Sequence, residues 1–110
     1  MAKLFKCACN YICEGDSAPD VCPRCGAPKT AFTELSEEKA NLIYKSDESN
    51  SLHMALVDLA EQIIDISERG IEINLDPGCL AVFTKAKHMA WTMKQFAKAE
   101  IETHIGKSKW

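Results

Sequence analysis

The stretch Cys22-Pro23-Arg24-Cys25-Gly26 places two cysteines three positions apart on a turn tightened by proline and glycine. Thiolates at this C-x2-C spacing bind one metal ion from the same side. A second cysteine-rich turn lies upstream, Cys7-Ala8-Cys9-Asn10-Tyr11-Ile12-Cys13, and it offers three sulfurs at the irregular spacings C-x-C and C-x3-C. Two such turns facing each other predict a tetrahedral all-sulfur site, whose geometry suits zinc or iron.

Composition narrows the classes of function. The 110 residues allow one ordinary domain, or a small metal-stapled module followed by a helical segment. The net charge of −3 favours neither nucleic acid nor a membrane surface as a partner. The N-terminus does not resemble a signal peptide, and no apolar run is long enough to span a membrane. We therefore expect a cytoplasmic protein whose reduced cysteines bind metal, with a disulfide framework as the less favoured alternative.

Residues 1–35 are predicted to form the metal-binding domain. They are rich in cysteine, glycine and proline, and so in turns. Residues 4–6 and 30–34 are expected to be short strands that pair. Phe5, Tyr11 and Phe32 would then supply most of a small core beside the metal.

Residues 36–110 are predicted to be helical, with helices at about 36–45, 51–69 and 77–105. Ser36 is a suitable N-cap for the first helix, and the polar run 46–50 is expected to follow its end. Gly70 is expected just past the end of the second helix. Asp76 and Pro77 form a typical start for the third, with the acid as N-cap and proline at the first helical position.

The two longer helices are predicted to form an antiparallel hairpin with more apolar surface than it can bury. The second helix carries apolar residues at alternating steps of four and three: Leu52, Leu56, Leu59, Ile63 and Ile66. The third carries one stripe of Phe83, Ala86, Ala90, Met93, Ala97 and Ile101, with Val82, Met89 and Phe96 beside it. A homodimer forming a four-helix bundle would cover these stripes. In the alternative, the first helix and the metal module cover them within a monomer.

The cysteine turns and their flanks resemble the rubredoxin-like domain of rubrerythrins. The resemblance covers residues 5–7, 9–12, 14–19 and 22–29, about the first third of the chain. Only 12 residues, 10–21, separate Cys9 from Cys22, as in the short inter-turn loop of that branch. The helical remainder is similar to the tail of small bacterial proteins in which such a domain precedes a helical hairpin, particularly at residues 74–79 and 99–102.

The resemblance implies a site in which Cys7, Cys9, Cys22 and Cys25 bind one iron ion. Cys7 and Cys9 are one residue closer than the family pattern requires, so Cys13 is an alternative ligand in place of one of them. The resemblance also implies an electron carrier, with a reductase as donor and a peroxide- or oxygen-reducing enzyme as acceptor. A zinc ribbon, whose metal only folds the module and whose hairpin serves assembly or partner binding, is the alternative function.

Other candidate sites are weaker. A ferritin-like di-iron enzyme needs Glu-x-x-His pairs, and none of the three histidines has glutamate three positions before it. A peroxidase is therefore not expected. Glu100 and His104 share a helix face and could form a metal site with Glu61 or Glu68 across the hairpin, although a solvated pair is favoured. Cys79 starts a helix whose dipole would lower its pKa, so it is either a reactive thiol or, as we favour, a small packed residue.

Overall fold

The computed structural model describes residues 2–110 and begins with a three-stranded antiparallel sheet. Its strands are β1 (Lys3–Cys7), β2 (Ile12–Gly15) and β3 (Phe32–Glu34), in the order β2-β1-β3. The expected pairing of the first and last strands is confirmed, with Phe5 opposite Glu34 and Cys7 opposite Phe32. Residues 30 and 31 lie in a single 3-10 turn, Lys29–Ala31, that precedes β3.

The chain divides into two compact units, one running to Lys45 and the other spanning Ser46–Trp110. In the first unit, β1 supplies the interior, because Leu4, Phe5 and Cys7 are all buried. The Tyr44 hydroxyl lies 2.9 Å from the Ala2 carbonyl oxygen and 2.8 Å from a Glu14 carboxylate oxygen, which ties the first helical turns to the sheet. The predicted domain boundary lies after residue 35, whereas the compact unit that contains the sheet extends to Lys45.

The first helix, α1, runs without interruption over Glu37–Ile73. It begins as expected, with the Lys39 N–H donating to the Ser36 hydroxyl over 3.2 Å. The predicted break over residues 46–50 is wrong. Serine, aspartate and asparagine disfavour a helix only slightly, and the run contains neither glycine nor proline. Ser46 and Asn50 instead become buried and both donate to the Lys109 carbonyl, at 2.5 and 2.7 Å.

Gly70 was expected to lie beyond a helix C-terminus and instead lies inside α1, where it is buried. A Cβ atom added at this glycine would lie only 2.2 Å from the Phe83 ring. Its lack of a side chain therefore serves helix packing, and the chain turns later, at Asn74, whose φ is 48°. The sequence alone does not distinguish a glycine that ends a helix from one that admits a neighbouring ring.

The second helix, α2, spans Pro77–Gly106 and returns antiparallel to α1. Ion pairs fix the register, since Lys87 Nζ lies 3.3 Å from Glu68 and the Lys94 ammonium contacts Glu61. The core between the helices consists of Ala60, Ile64 and Ala90, with Met93 packed against it. The two alanines of this core take up little space between the helices, and Ile64 and Met93 fill it.

The predicted stripe of α2 is confirmed as the face that packs in the hairpin, because all six of its residues are buried or half-buried. The apolar row predicted on α1 does not pack against α2. Leu52, Leu56, Leu59, Ile63 and Ile66 remain exposed, and α1 contacts α2 through the neighbouring row that includes Ala60, Ile64 and Ser67. Among residues 2–110, no helix is long and apolar enough to span a membrane.

Asp76→Ala is expected to destabilise α2, because the Asp76 carboxylate accepts a hydrogen bond of 2.7 Å from the Cys79 N–H. That bond lowers the pKa of Asp76. Its stabilising effect is therefore complete above the ordinary carboxyl pKa of about 3.9 and is lost as the pH falls through the lowered folded-state pKa. Thermal unfolding at neutral and acidic pH measures both effects. Asp76→Asn keeps an acceptor and should lose only the pH dependence, whereas an Asp76→Ala variant melting like the parent protein would contradict the role.

Candidate metal centre

Four sulfur atoms lie close together in the first compact unit. The Sγ atoms of Cys7, Cys9, Cys22 and Cys25 are all within 4.8 Å of one another. Two of the pairs, Cys7 with Cys25 and Cys9 with Cys22, are 3.7 Å apart. A tetrahedral ion with metal–sulfur bonds of about 2.3 Å requires sulfurs about 3.8 Å apart. The donor set and its spacing therefore fit a single zinc or iron ion, whose identity they do not distinguish.

The two cysteine turns have the same construction, although the first is one residue shorter. In the second, the Cys22 N–H donates to the Ala27 carbonyl and the Gly26 N–H donates to the Cys22 carbonyl, at 2.8 and 2.9 Å. In the first, the Cys7 N–H donates to the Tyr11 carbonyl and the Asn10 N–H to the Cys7 carbonyl, again at 2.8 and 2.9 Å. The shortened C-x-C turn thus presents its sulfurs without losing its closing hydrogen bonds.

A left-handed residue follows the second cysteine of each turn. Asn10 has a φ of 81° and Gly26 a φ of 77°, so asparagine takes the place of glycine in the first turn. Asparagine is among the few residues other than glycine that adopt this conformation readily. The first turn has one residue fewer between its two cysteines, Cys7 and Cys9. The residue after the second cysteine nevertheless has the same conformation in both turns, so the chain reverses direction in the same way.

Cys13, the alternative ligand, lies outside the four-sulfur group. It is a β2 residue paired with Phe5 of β1, and its thiol lies 3.9 Å from the Phe5 carbonyl oxygen. All six cysteines are free thiols in the structure, so the described residues form no disulfide. The arrangement favours Cys7 and Cys9 over any pair that includes Cys13, although ligation itself remains a prediction.

Backbone N–H groups direct partial positive charge at the sulfurs. The Tyr11 N–H and the Arg24 side chain, acting against burial, lower the pKa of Cys9 to about 6. Burial raises the pKa of Cys22, but the N–H groups of Cys25 and Arg24 outweigh it and lower the pKa overall. Sulfurs on both turns are therefore prepared to be thiolates, the form that binds a metal.

Crowding of the four sulfurs raises the pKa of Cys7. The Cys9 N–H lowers the pKa of Cys7, but burial and hydrogen bonds with the other three sulfurs raise it to about 12. Four thiolates at this spacing repel one another strongly, so one of them stays protonated until a cation compensates the charge. Binding of a metal ion is accordingly expected to release protons.

Arg24 connects the two turns, a role that we did not predict from the sequence. Its Nη1 donates to the Cys9 carbonyl oxygen over 3.1 Å. The hydrogen bond and charge of the Cys9 thiolate raise the pKa of Arg24. The sequence contained one indication of this role. Arg24 lies between Cys22 and Cys25, and a residue at that position of a metal-binding turn is close to the sulfurs. Arg24 therefore places one permanent positive charge at the rim of the site.

The second candidate metal site, at Glu100 and His104, is not assembled. His104 Nε2 lies 3.3 Å from Glu100, while its Nδ1 lies 2.5 Å from the Asn50 amide oxygen. Glu61 and Glu68 pair instead with lysines of α2. Within residues 2–110, the four cysteines are the only group of three or more His, Cys, Asp or Glu side chains close enough to share an ion.

Cys79 does not have the lowered pKa expected from its place at a helix start. The neighbouring Asp76 carboxylate accepts a hydrogen bond from its thiol and, together with burial and its negative charge, raises the pKa of Cys79. The carboxylate that caps α2 is therefore the main reason that this pKa is not lowered. The thiol is half-buried and protonated at neutral pH, which favours a packing role.

Comparison with known proteins places this centre in context. Residues 5–33 match the family model described as the rubredoxin-like domain of rubrerythrin. Reverse rubrerythrin-1 of Clostridium acetobutylicum is 51% identical over 37 residues, which are 33% of this chain and 20% of that protein. The aligned segment thus spans about a fifth of that relative, and no solved structure matches significantly. The resemblance of the N-terminal segment to a rubredoxin-like domain is confirmed, while the helical hairpin lies beyond residues 5–33.

Proposed function

We propose that this protein is an electron carrier that binds one iron ion through Cys7, Cys9, Cys22 and Cys25. The observation that carries the proposal is the set of four sulfurs at tetrahedral spacing within a segment that matches a rubredoxin-like domain. Iron bound by four thiolates gains and loses a single electron. No Glu-x-x-His pair occurs in the chain, so we propose a carrier rather than a peroxidase.

The residues around the sulfurs support such a role. Cys7 and Cys22 are buried, whereas Cys25 is exposed. The buried pair holds the site rigidly on β1 and the second turn, and the exposed sulfur offers one edge to another protein. The N–H groups of Cys9, Tyr11 and Arg24 compensate thiolate charge. These fixed dipoles favour the more negatively charged, reduced state without any rearrangement of the chain.

The partners are proposed from the rubrerythrin-type resemblance. A reductase would donate the electron, and a peroxide- or oxygen-reducing enzyme would accept it, in the cytoplasm. Asp16 and Asp20 are exposed on the loop between the turns and would attract a basic surface on such a partner.

Absorption spectroscopy of anaerobically purified protein tests the proposal. We expect one iron per chain, a visible ferric-thiolate band that bleaches on reduction and returns on oxidation, and no turnover of peroxide by the protein alone. Protein that is colourless, zinc-loaded and redox-silent after reconstitution with iron would contradict it. Metal analysis of protein from its native host would then identify a structural zinc module, the alternative function.

Arg24→Gln is expected to lower the reduction potential of the iron-loaded protein. The guanidinium beside Cys9 stabilises negative charge, and the reduced site has one more negative charge than the oxidised site. Removing the cation therefore favours the oxidised state, and potentiometric titration measures the shift. Arg24→Lys keeps the charge and should retain most of the parent potential. Equal potentials for Arg24→Gln and the parent protein would show that this charge is screened.

A further inference from the structure

The helical hairpin has one wide apolar face that its own two helices leave exposed. Nine large side chains on it expose between 37% and 73% of their surface. We call this set the open face: Leu52, Leu56, Leu59, Ile63, Ile66 and Ile73 on α1, and Val82, Met89 and Phe96 on α2. All nine lie in the second compact unit, Ser46–Trp110.

Helical periodicity puts the α1 members of the open face on one flank of that helix. The row that packs against α2 includes Ala60, Ile64 and Ser67, and Leu59, Ile63 and Ile66 each precede one of these residues. Successive residues are turned by about 100° around a helix. On α2, Met89 and Phe96 likewise precede residues of the packed row, the buried Ala90 and Ala97.

The two flanks lie on the same side of the hairpin. Residues that follow the packed rows, such as Glu61 and Asp65 on α1 and Trp91 on α2, line one cavity together. The residues that follow the packed rows therefore lie on one side of the hairpin. The residues that precede the packed rows, which include the open face, lie together on the opposite side. Ion pairs join Glu61 to Lys94 and Glu68 to Lys87, and this register sets three levels of the open face: Leu59 with Phe96, Ile66 with Met89 and Ile73 with Val82.

We infer that a second copy of this chain covers the open face, giving a two-fold four-helix bundle. The area is the first support. The largest apolar patch on a typical monomer is about 300–600 Å². Nine large side chains at these exposures amount to on the order of 800 Å², which is what each partner buries in a standard stable interface.

The pattern of charge and spacing is the second support. Steps of four and three from Leu52 to Ile66 form the seam by which helices pack at small angles in bundles. By the same relation to the packed rows, the charged residues Arg69, Lys85 and Glu100 also lie on this flank, but outside the two central levels. At those levels, Leu59 with Phe96 and Ile66 with Met89, two identical faces meet without burying a charge. A two-fold interface requires such self-complementarity. The opposite side contrasts with it, because its cavity is lined by charged residues including Glu61, Asp65, Glu68 and Lys87.

Sedimentation equilibrium of the metal-loaded full chain tests the inference. The expected species is a dimer of about 24 kDa, twice the chain mass of 12.2 kDa. Leu59→Glu places a charge in the centre of the open face and should raise the dissociation constant at least about 100-fold. Met54→Glu is the matched control, because Met54 lies on the same helix with similar exposure, 47% against 53%, and lines a groove on the other side. This control should remain dimeric.

Circular dichroism distinguishes dissociation from unfolding. Leu59 is already half-exposed in the single chain, so Leu59→Glu should leave a helical monomer. If that variant unfolds, the milder Leu59→Ala and Ile66→Ala variants should each weaken the dimer while Met54→Ala does not. A parent chain that remains monomeric at hundreds of micromolar overturns the inference. Equal dissociation by the Leu59 and Met54 variants also overturns it.

Discussion

Cys7→Ser is expected to abolish stoichiometric metal binding, whereas Cys13→Ser keeps one metal per chain. The Cys7 sulfur lies 3.7 Å from that of Cys25 and within 4.8 Å of the whole group, whereas Cys13 faces the Phe5 carbonyl. A serine hydroxyl does not supply the soft thiolate that this all-sulfur site offers. The loss of affinity should exceed the roughly 10–100-fold that removal of an outer hydrogen-bond partner costs a metal site.

Metal content by mass spectrometry and competition with a chelator measure this difference. Cys79→Ser provides a further control, because Cys79 belongs to α2 and its replacement should leave the metal content unchanged. Loss of metal should also unfold the sheet, since a module of this size depends on its metal for stability. Metal retained by Cys7→Ser and lost by Cys13→Ser would reassign the ligands to Cys9, Cys13, Cys22 and Cys25.

Gly70→Ala is expected to destabilise the helical hairpin, although alanine is the better helix former. The added Cβ would lie 2.2–2.4 Å from three atoms of the Phe83 ring, a distance that forces the helices apart. Overpacking of this kind costs about 1–3 kcal/mol. The gain in helix propensity is at most about 1 kcal/mol and does not compensate a clash with a whole ring. Urea unfolding followed by the helical signal measures the net effect.

Two further variants separate the clash from a general effect of glycine replacement. Gly106 ends α2 with no atom within 4 Å of an added Cβ, so Gly106→Ala should change stability by less than about 0.5 kcal/mol. Combining Gly70→Ala with Phe83→Leu should be less destabilising than the two single effects together, because the smaller side chain admits the methyl group. A Gly70→Ala protein as stable as the parent would show that Phe83 moves without cost.

The parts of the fold that could be predicted are those in which local chemistry decides the outcome. The cysteine turns require left-handed residues after Cys9 and Cys25, and Asn10 and Gly26 supply them. The starts of both helices follow from the capping oxygens of Ser36 and Asp76. Each of these features depends on residues within four positions of one another, so their sequence patterns are sufficient evidence.

The errors arose where a distant residue decides the outcome. In the polar run 46–50, Ser46 and Asn50 donate to the distant Lys109 carbonyl, and the glycine at position 70 is explained by the Phe83 ring that packs against it. Strand β2 was not predicted because Ile12–Gly15 is only four residues long and forms its backbone hydrogen bonds by pairing with β1. For the candidate site, the cysteines could be predicted, but the bridge from Arg24 to Cys9 needed the folded turns.

The unequal exposure of the four sulfurs also has a kinetic consequence. Cys25 is the exposed member, and Cys7 and Cys22 are buried. Water, chelators and alkylating reagents therefore reach Cys25 first, so release or exchange of a bound ion should begin by detachment of that sulfur. The remaining three would hold the ion until the sheet opens. The first step of metal release thus takes place at one surface turn, whereas complete loss of the ion requires the interior of the module to open.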